Sequence, residues 1–208
     1  MMANRLATLQ KLKELYTLKG LGECYVEHQV LQSKISCSND IDIKNKILHC
    51  KLCARSKMGE AVFGNIQQNA KVIFATLLPV MNSKGQFLPI RSVKILQDII
   101  KNVFCFAPSQ YSVLSLLKCA DTPIKSEEFD CCKPYFFEQI NLSMQGVILC
   151  FGGNEALEFF ELNKNCFGKI INFRGRRLLV TYSLGELLKN PSLKKEAMRH
   201  FVLLKEVL

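Results

Sequence analysis

The stretch K-V-I-F-A-T-L-L, Lys71–Leu78, decides how this chain folds. It is short, continuously apolar and carries the β-branched pair Val72-Ile73. Both alternating faces of such a strand must be covered, which is the signature of a buried parallel strand rather than a half-wet antiparallel one. The same reading holds for Tyr111–Leu117, Gly146–Phe151 (G-V-I-L-C-F) and Arg177–Tyr182 (R-L-L-V-T-Y). Helical stretches separate them. Residues 91–104 carry Val93, Leu96, Ile99, Ile100 and Val103 on one side. Ser126 is placed to cap the next helix, with Glu127 and Glu128 at its positive end and Phe129, Pro134, Phe136, Phe137 and Ile140 behind them. A third helix runs from Glu155, after Gly152-Gly153-Asn154. Asn190-Pro191 opens the last, striped by Leu193, Ala197, Phe201 and Leu204. Strands alternating with helices predict a three-layer α/β/α sandwich around a four-stranded parallel sheet. Ligands of such folds gather at the carboxyl ends of the strands.

Ahead of this alternation, Leu6, Leu9, Leu12, Leu15 and Leu18 recur every three positions until Gly20 and Gly22, predicting an amphipathic helix. Residues 1–47 are therefore read as an N-terminal helical extension and 48–208 as the main domain. With 208 residues, 49% of them hydrophobic, the chain has ample material for a core and is not disordered. No apolar run approaches the eighteen or so residues of a membrane helix. The N-terminal residues lack the pattern of a signal peptide. Ten cysteines without a disulfide-scaffold spacing then point to reduced thiols in the cytoplasm.

Four of those cysteines form two separated pairs. Cys50 and Cys53 make a C-x-x-C knuckle in H-C-K-L-C, and Cys119 and Cys132 follow with twelve residues between them. Two such pairs supply the four sulfurs that an iron–sulfur cluster or a zinc ion requires, whereas isolated cysteines are commonly just buried. Zinc ribbons usually repeat the knuckle, and the wide second pair favours iron–sulfur over zinc. Cys150, inside an apolar strand, reads as plain core.

The net charge is +10, and it is concentrated downstream. Lys164–Lys205 holds ten Lys or Arg against Glu186 and Glu196. Positive charge gathered this way attracts phosphate backbones without reading sequence, although a solvated basic face is a common alternative. Arg174, Arg176, Lys189 and Lys194 are the candidate DNA contacts, expected on one surface beside the strand ends.

Taken in order, C-x-x-C, V-F-G (Val62–Gly64), N-A-K-V-I-F, L-L-K-C (Leu116–Cys119), E-E-F-D-C-C-K-P-Y-F-F-E-Q-I (Glu127–Ile140), V-I-L-C-F-G-G-N-E-A (Val147–Ala156), F-R-G (Phe173–Gly175) and T-Y-S-L-G-E-L-L-K-N-P (Thr181–Pro191) resemble the family-four, iron–sulfur branch of the uracil-DNA glycosylases. The resemblance spans roughly residues 48–205. It implies the glycosylase-like α/β/α fold, a role in DNA repair as a hydrolase of N-glycosidic bonds, DNA as partner to a monomeric protein, and a 4Fe–4S cluster on Cys50, Cys53, Cys119 and Cys132. Cys132 is chosen over Cys131 because the family places its cysteine directly before a basic-Pro-aromatic triplet, here Lys133-Pro134-Tyr135. The loop between the last two ligands is shorter here than in the family.

The chemical motifs depart from the pattern. Excising uracil requires a flipped base to be stacked, its edge to be hydrogen-bonded and the departing charge stabilised. The family's G-E-A-P-G falls on Thr76-Leu77-Leu78-Pro79-Val80, so Leu77 stands where the Glu belongs and Val80 where backbone needs a glycine to approach a ligand. The Asn falls on Ser115 and the His-Pro pair on Ser183-Leu184; Phe87 keeps the stacking aromatic. His28, His49 and His200 all lie outside the motif. Thr76, Leu77, Phe87, Ser115 and Ser183 are thus the expected substrate-binding positions, with no catalytic residue assigned and Glu186 the one nearby carboxylate to test. Two functions follow: a divergent glycosylase, or a catalytically silent iron–sulfur relative that binds DNA or a partner.

Overall fold

The computed structural model describes residues 39–119, 124–143 and 146–208. The expected helix over the first twenty residues, together with Cys24, Cys37 and His28, lies outside them. Residues Asp40–Leu208 form one compact unit.

In chain order the elements are α1 (Asn39–Leu48), β1 (Val72–Thr76), α2 (Arg91–Asp98), β2 (Tyr111–Ser115), α3 (Glu127–Leu142), β3 (Val147–Phe151), α4 (Gly153–Phe159), β4 (Ile170–Phe173), β5 (Arg176–Thr181), α5 (Leu184–Lys189) and α6 (Leu193–Lys205). The strands form one sheet in the order β2-β1-β3-β5-β4. All four expected strands are present and parallel: Thr76 lies beside Ser115 and Phe151, and Phe151 beside Thr181.

The fifth strand, β4, departs from the four-stranded expectation. It runs antiparallel to β5, with Phe173 opposite Arg176. Arg174 and Gly175 form the tight link between them, at φ 50 and 76. Two left-handed residues in a row suit the twist of a two-residue hairpin. The sheet is therefore five-stranded with an antiparallel edge. Strand β4, with its residues only partly buried, lacks the apolar continuity that marks the other four.

Strand alternation divides the core in two. Val72, Phe74, Leu149, Phe151 and Leu179 face α2, α5 and α6, meeting Val93, Leu96, Leu187, Ala197, Phe201 and Leu204. Ile73, Ala75, Ile148, Cys150, Leu178 and Val180 face α3 and α4, meeting Phe129, Phe136, Ile140, Leu157 and Phe159. This second layer is tied by edge-on aromatic pairs, among them Phe136–Phe159 at 5.7 Å and Phe159–Phe160 at 5.2 Å. Such pairs add roughly 0.5–1.5 kcal/mol each beyond area burial. A smaller third cluster seats α1, where Ile43 and Ile47 pack with Ala61 and Cys119 and against Phe63 and Tyr135. The α1 side chains therefore dock on the sheet domain, although they precede the boundary placed after residue 47.

Local details differ from expectation. The helix after β1 does not stay α-helical: at Ile99–Phe104 it widens into a π-helical turn and stops at Cys105, φ 55. Ser126 precedes α3 as expected but has helical dihedrals and makes no side-chain cap bond. The Glu128 carboxylate accepts the Lys125 N–H instead, at 3.2 Å. Gly64, at φ +87, is obligatory, because a Cβ there would sit 2.5 Å from the Val113 carbonyl oxygen.

Candidate functional site

The sheet order reverses at β1, whose neighbours β2 and β3 lie on opposite sides. At this reversal, beyond the carboxyl ends of the strands, lies a cavity of about 540 Å³. Thr76–Val80 form one wall, Ser183–Gly185 another, and Phe151, Leu88, Ile90 and Ser92 complete the lining. Thr76 ends β1, and its hydroxyl donates to the Leu78 carbonyl at 2.8 Å, turning the chain out over the sheet end. The excursion returns as a small hairpin in which Leu88 N–H donates to Val80 O at 2.9 Å and Met81 bridges Phe87.

Of the expected substrate positions, the structure brings Thr76, Leu77 and Ser183 together around this cavity. Phe87 is half-buried against the α2-side core and does not line it. Ser115 is buried beneath, beside Thr76, and its carbonyl accepts the Lys118 ammonium.

Glu186 has a definite job. Ser183 and Glu186 form a reciprocal cap on α5: the carboxylate accepts the Ser183 N–H at 2.7 Å and its hydroxyl at 2.8 Å, while Glu186 N–H donates to Ser183 Oγ at 3.2 Å. The spacing S-x-x-E is a capping-box signal legible in the sequence, and it accounts for Glu186 without a chemical role. The carboxylate also lies over Gly153, 2.8 Å from where a Cβ would sit at φ +57. His200 is not a substitute base either. It is buried on α6, 2.9 Å from Thr181 Oγ1, and closes against Gly168; burial pulls its pKa below the usual histidine value. His49 is exposed, bonded to Asn45 O. The strand-end polar side chains Thr76 and Ser183 are thus engaged internally, and the remaining lining is largely apolar.

The cysteines lie on the α3 side. Cys50 and Cys53 follow α1, Cys119 follows β2 and Cys132 sits in the second turn of α3. The Cys119 thiol is pushed up to about 11, first by burial and then by the charges of Cys132, Cys53 and Cys50, against the lowering effect of Arg55. Cys132 is also pushed up by burial, with Cys53 and Cys50 adding to it. Cys119 and Cys132 therefore feel the charges of Cys50 and Cys53. Among the described residues no three His, Cys, Asp or Glu side chains converge as a site for a single metal ion.

Burial, and after it the Cys50 thiol, lift the Tyr135 hydroxyl to about 12, while the Lys118 backbone opposes the burial that raises Cys132. Arg55, 1% exposed, pairs with Glu128 at 2.9 Å and reaches Cys119 O at 3.5 Å, locking the knuckle's short helical turn to α3. Lys118 is enclosed, bonded to Gln139 Oε1, and Gln139 donates onward to Phe63 O at 2.6 Å; burial drops its ammonium to about 7. Sequence reading missed the roles of Arg55 and Lys118 because exposed and buried cations look alike in one sequence. Cys131 also feels the charges of Cys53 and Cys50, while Cys150 is enclosed in β3, its thiol driven up by burial alone.

The basic residues do not share the surface expected of them. Arg174 and Arg176 lie at the β4–β5 turn, at the amino ends of the parallel strands, whereas Ser183 follows the carboxyl end of β5. Lys189 closes α5 and Lys194 opens α6, where it borders a separate small groove with Asp98 and Met198. Because β5 runs the length of the sheet between Arg176 and Thr181, neighbours in sequence end up at opposite poles.

A mostly parallel sheet with a strand-end cavity at its reversal defines a doubly wound α/β/α protein. The chain belongs to the uracil DNA glycosylase superfamily, whose family profile matches residues 63–204. It is similar to a protein described as a type-4 uracil-DNA glycosylase from Sulfurisphaera tokodaii, 24% identical over 182 residues that cover 79% of this chain and 83% of that protein. No helix among the described residues is long and apolar enough to cross a membrane.

Proposed function

We propose that this chain is an iron–sulfur member of the superfamily that retains a base-sized cavity for DNA and excises uracil weakly or not at all. The observation that carries this reading is the chemistry of the cavity. Leu77, Leu78 and Leu184 stand where a working pocket needs groups to bond a base edge, a water or a leaving anion, and Thr76 and Ser183 spend their hydroxyls on Leu78 O and Glu186. Losing one preorganised donor to a developing anion costs on the order of 10²–10³ in rate; losing the acid, the Asn and the His positions together removes most of the chemistry. An apolar cavity of the same shape still admits a base but discriminates weakly.

Cys50, Cys53, Cys119 and Cys132 would hold the 4Fe–4S cluster. Their donor set fits it: the Cys119 and Cys132 thiols are raised by burial and by the charges of the other cysteines, and four thiolate donors suit a cationic core. When bound, the cluster supplies a cross-link between the knuckle, the end of β2 and α3, and a one-electron redox centre. The protein acts as a monomer on DNA in the cytoplasm, with Lys189 and Lys194 among the basic residues on the helices that follow Ser183.

The test uses anaerobically purified protein and single- and double-stranded oligonucleotides carrying uracil, hypoxanthine or neither, scored for abasic sites and for binding. Salt-sensitive binding with little or no cleavage is expected. Robust excision that survives Glu186→Gln, Ser183→Ala and Ser115→Ala would place the chemistry elsewhere and overturn the reading.

A further inference from the structure

A cavity of about 840 Å³ lies at the amino ends of the strands, at the opposite end of the sheet from the base cavity. Its lining includes Lys71, Arg174, Arg176 and Arg177, with Asn69 and Asn141, and no Asp or Glu side chain. We propose that Arg174, Arg176, Arg177 and Lys71 build a second site here, which binds phosphate groups. This goes beyond the base-cavity reading and does not depend on it.

Three features set this group apart from a solvated basic face. First, each guanidinium is anchored in a way that leaves donors over. Arg176 Nη2 donates to Ser143 O at 2.6 Å, Arg177 Nη1 donates to Val207 O at 2.5 Å, and Arg174 lies 3.7 Å over the ring of Phe137. Second, Arg176 Nη1 is buried and has no acceptor, the one such side-chain atom among the described residues. A buried donor left unpaired costs about 1–3 kcal/mol, so an acceptor arriving from outside recovers energy already spent; burial depresses the Arg176 pKa in the same sense. Third, none of the four cations pairs with a described carboxylate.

The ligand class follows from charge and shape. Four positive charges that form no ion pair with a described carboxylate exceed what one carboxylate neutralises. Planar guanidinium forks match phosphate oxygens in bidentate fashion, with lysine adding a point charge. The cavity is much larger than a single phosphate ion, leaving room for the rest of a nucleotide or for neighbouring phosphates. The phosphate can come from a nucleic-acid backbone or from a free phosphorylated small molecule. The fold also explains why three arginines meet here. Arg174 occupies a left-handed turn position that favours glycine or asparagine, and Arg176 and Arg177, adjacent in β5, point to opposite faces and flank the sheet end from both sides.

The full chain is titrated with inorganic pyrophosphate by calorimetry, and with a uracil-free single-stranded oligonucleotide by anisotropy across a salt series. Both are repeated on Arg174→Ser/Arg177→Gln, on Arg176→Gln and on Arg176→Lys. Arg174 and Arg177 are exposed, so the double variant tests the site even if Arg176→Gln folds poorly. Pyrophosphate affinity falling about tenfold, or ~1.4 kcal/mol, in the double variant supports the site, as does partial retention of binding by Arg176→Lys relative to Arg176→Gln. If the backbone is the source, the oligonucleotide's log-affinity slope against log salt becomes shallower by about 1.4 in the double variant, at about 0.7 for each phosphate no longer neutralised. An unchanged slope with weakened pyrophosphate binding assigns the site to a small phosphorylated ligand. Affinities for both ligands that stay unchanged in folded variants overturn the proposal. Because neither probe contains uracil, its failure is separable from any result on base excision.

Discussion

Replacing Glu186 by Gln separates a structural carboxylate from a catalytic one. In the folded protein Glu186 accepts two hydrogen bonds from Ser183 and caps α5, whose six residues give it little stability of its own. Losing a cap costs about 1 kcal/mol, and the carboxylate's charge at a helix N-terminus is worth roughly another 0.3–1 kcal/mol. Gln keeps one acceptor oxygen and loses the charge, so Glu186→Gln should cost about 1 kcal/mol, and Glu186→Ala about 2 kcal/mol. In a domain of this size each kcal/mol lowers Tm by about 2–4 °C. The assay is a thermal melt of both variants beside an abasic-site assay on uracil-containing single strands. Graded loss of Tm with cleavage no lower than the parent protein's is expected. A general acid or base typically contributes about 10²–10⁴ in rate, so cleavage collapsing by that factor while Tm stays unchanged would refute the capping assignment.

Phe136→Ala should destabilise the fold by about 3–5 kcal/mol, measured by urea unfolding, because the ring is fully buried and meets Phe137, Phe159 and Phe160. Glu128→Ala should also be destabilising in that assay, because it removes the carboxylate paired with the buried Arg55 guanidinium, and the double change with Arg55→Met should recover much of that loss. Since burial depresses the folded pKa of His200, the unfolded chain takes up its proton first on acidification. Stability should therefore hold above the unfolded value, about 6.5, and decline as pH falls through it, and His200→Asn should flatten that slope in pH-dependent melts. Cys119→Ala or Cys132→Ala should abolish iron content and visible absorbance after anaerobic purification, while Cys150→Ala and Cys131→Ala should retain both; stoichiometric zinc without iron would refute the cluster.

Much of the architecture was legible in one sequence because a doubly covered parallel strand must be apolar on both faces. Lys71–Leu78 and its three counterparts could be read as strands, and the alternation with helices implied the layers. The capping box Ser183-x-x-Glu186 was equally legible, and would have assigned Glu186 correctly. What sequence could not supply is which end of the sheet a residue occupies relative to its partners. Arg176 and Ser183 are close in the chain, yet one full strand carries them to opposite poles, so charge counted along the chain did not locate a surface. Nor could it show that Arg55 and Lys118 are enclosed, since burial is set by elements distant in sequence: Glu128 meets Arg55, and Gln139 meets Lys118. Strand identity is a local consequence of side-chain hydrophobicity, whereas the pole of the sheet, the pairing of buried charge and the proximity of the cysteines are properties of chain topology, which only the packed structure determines.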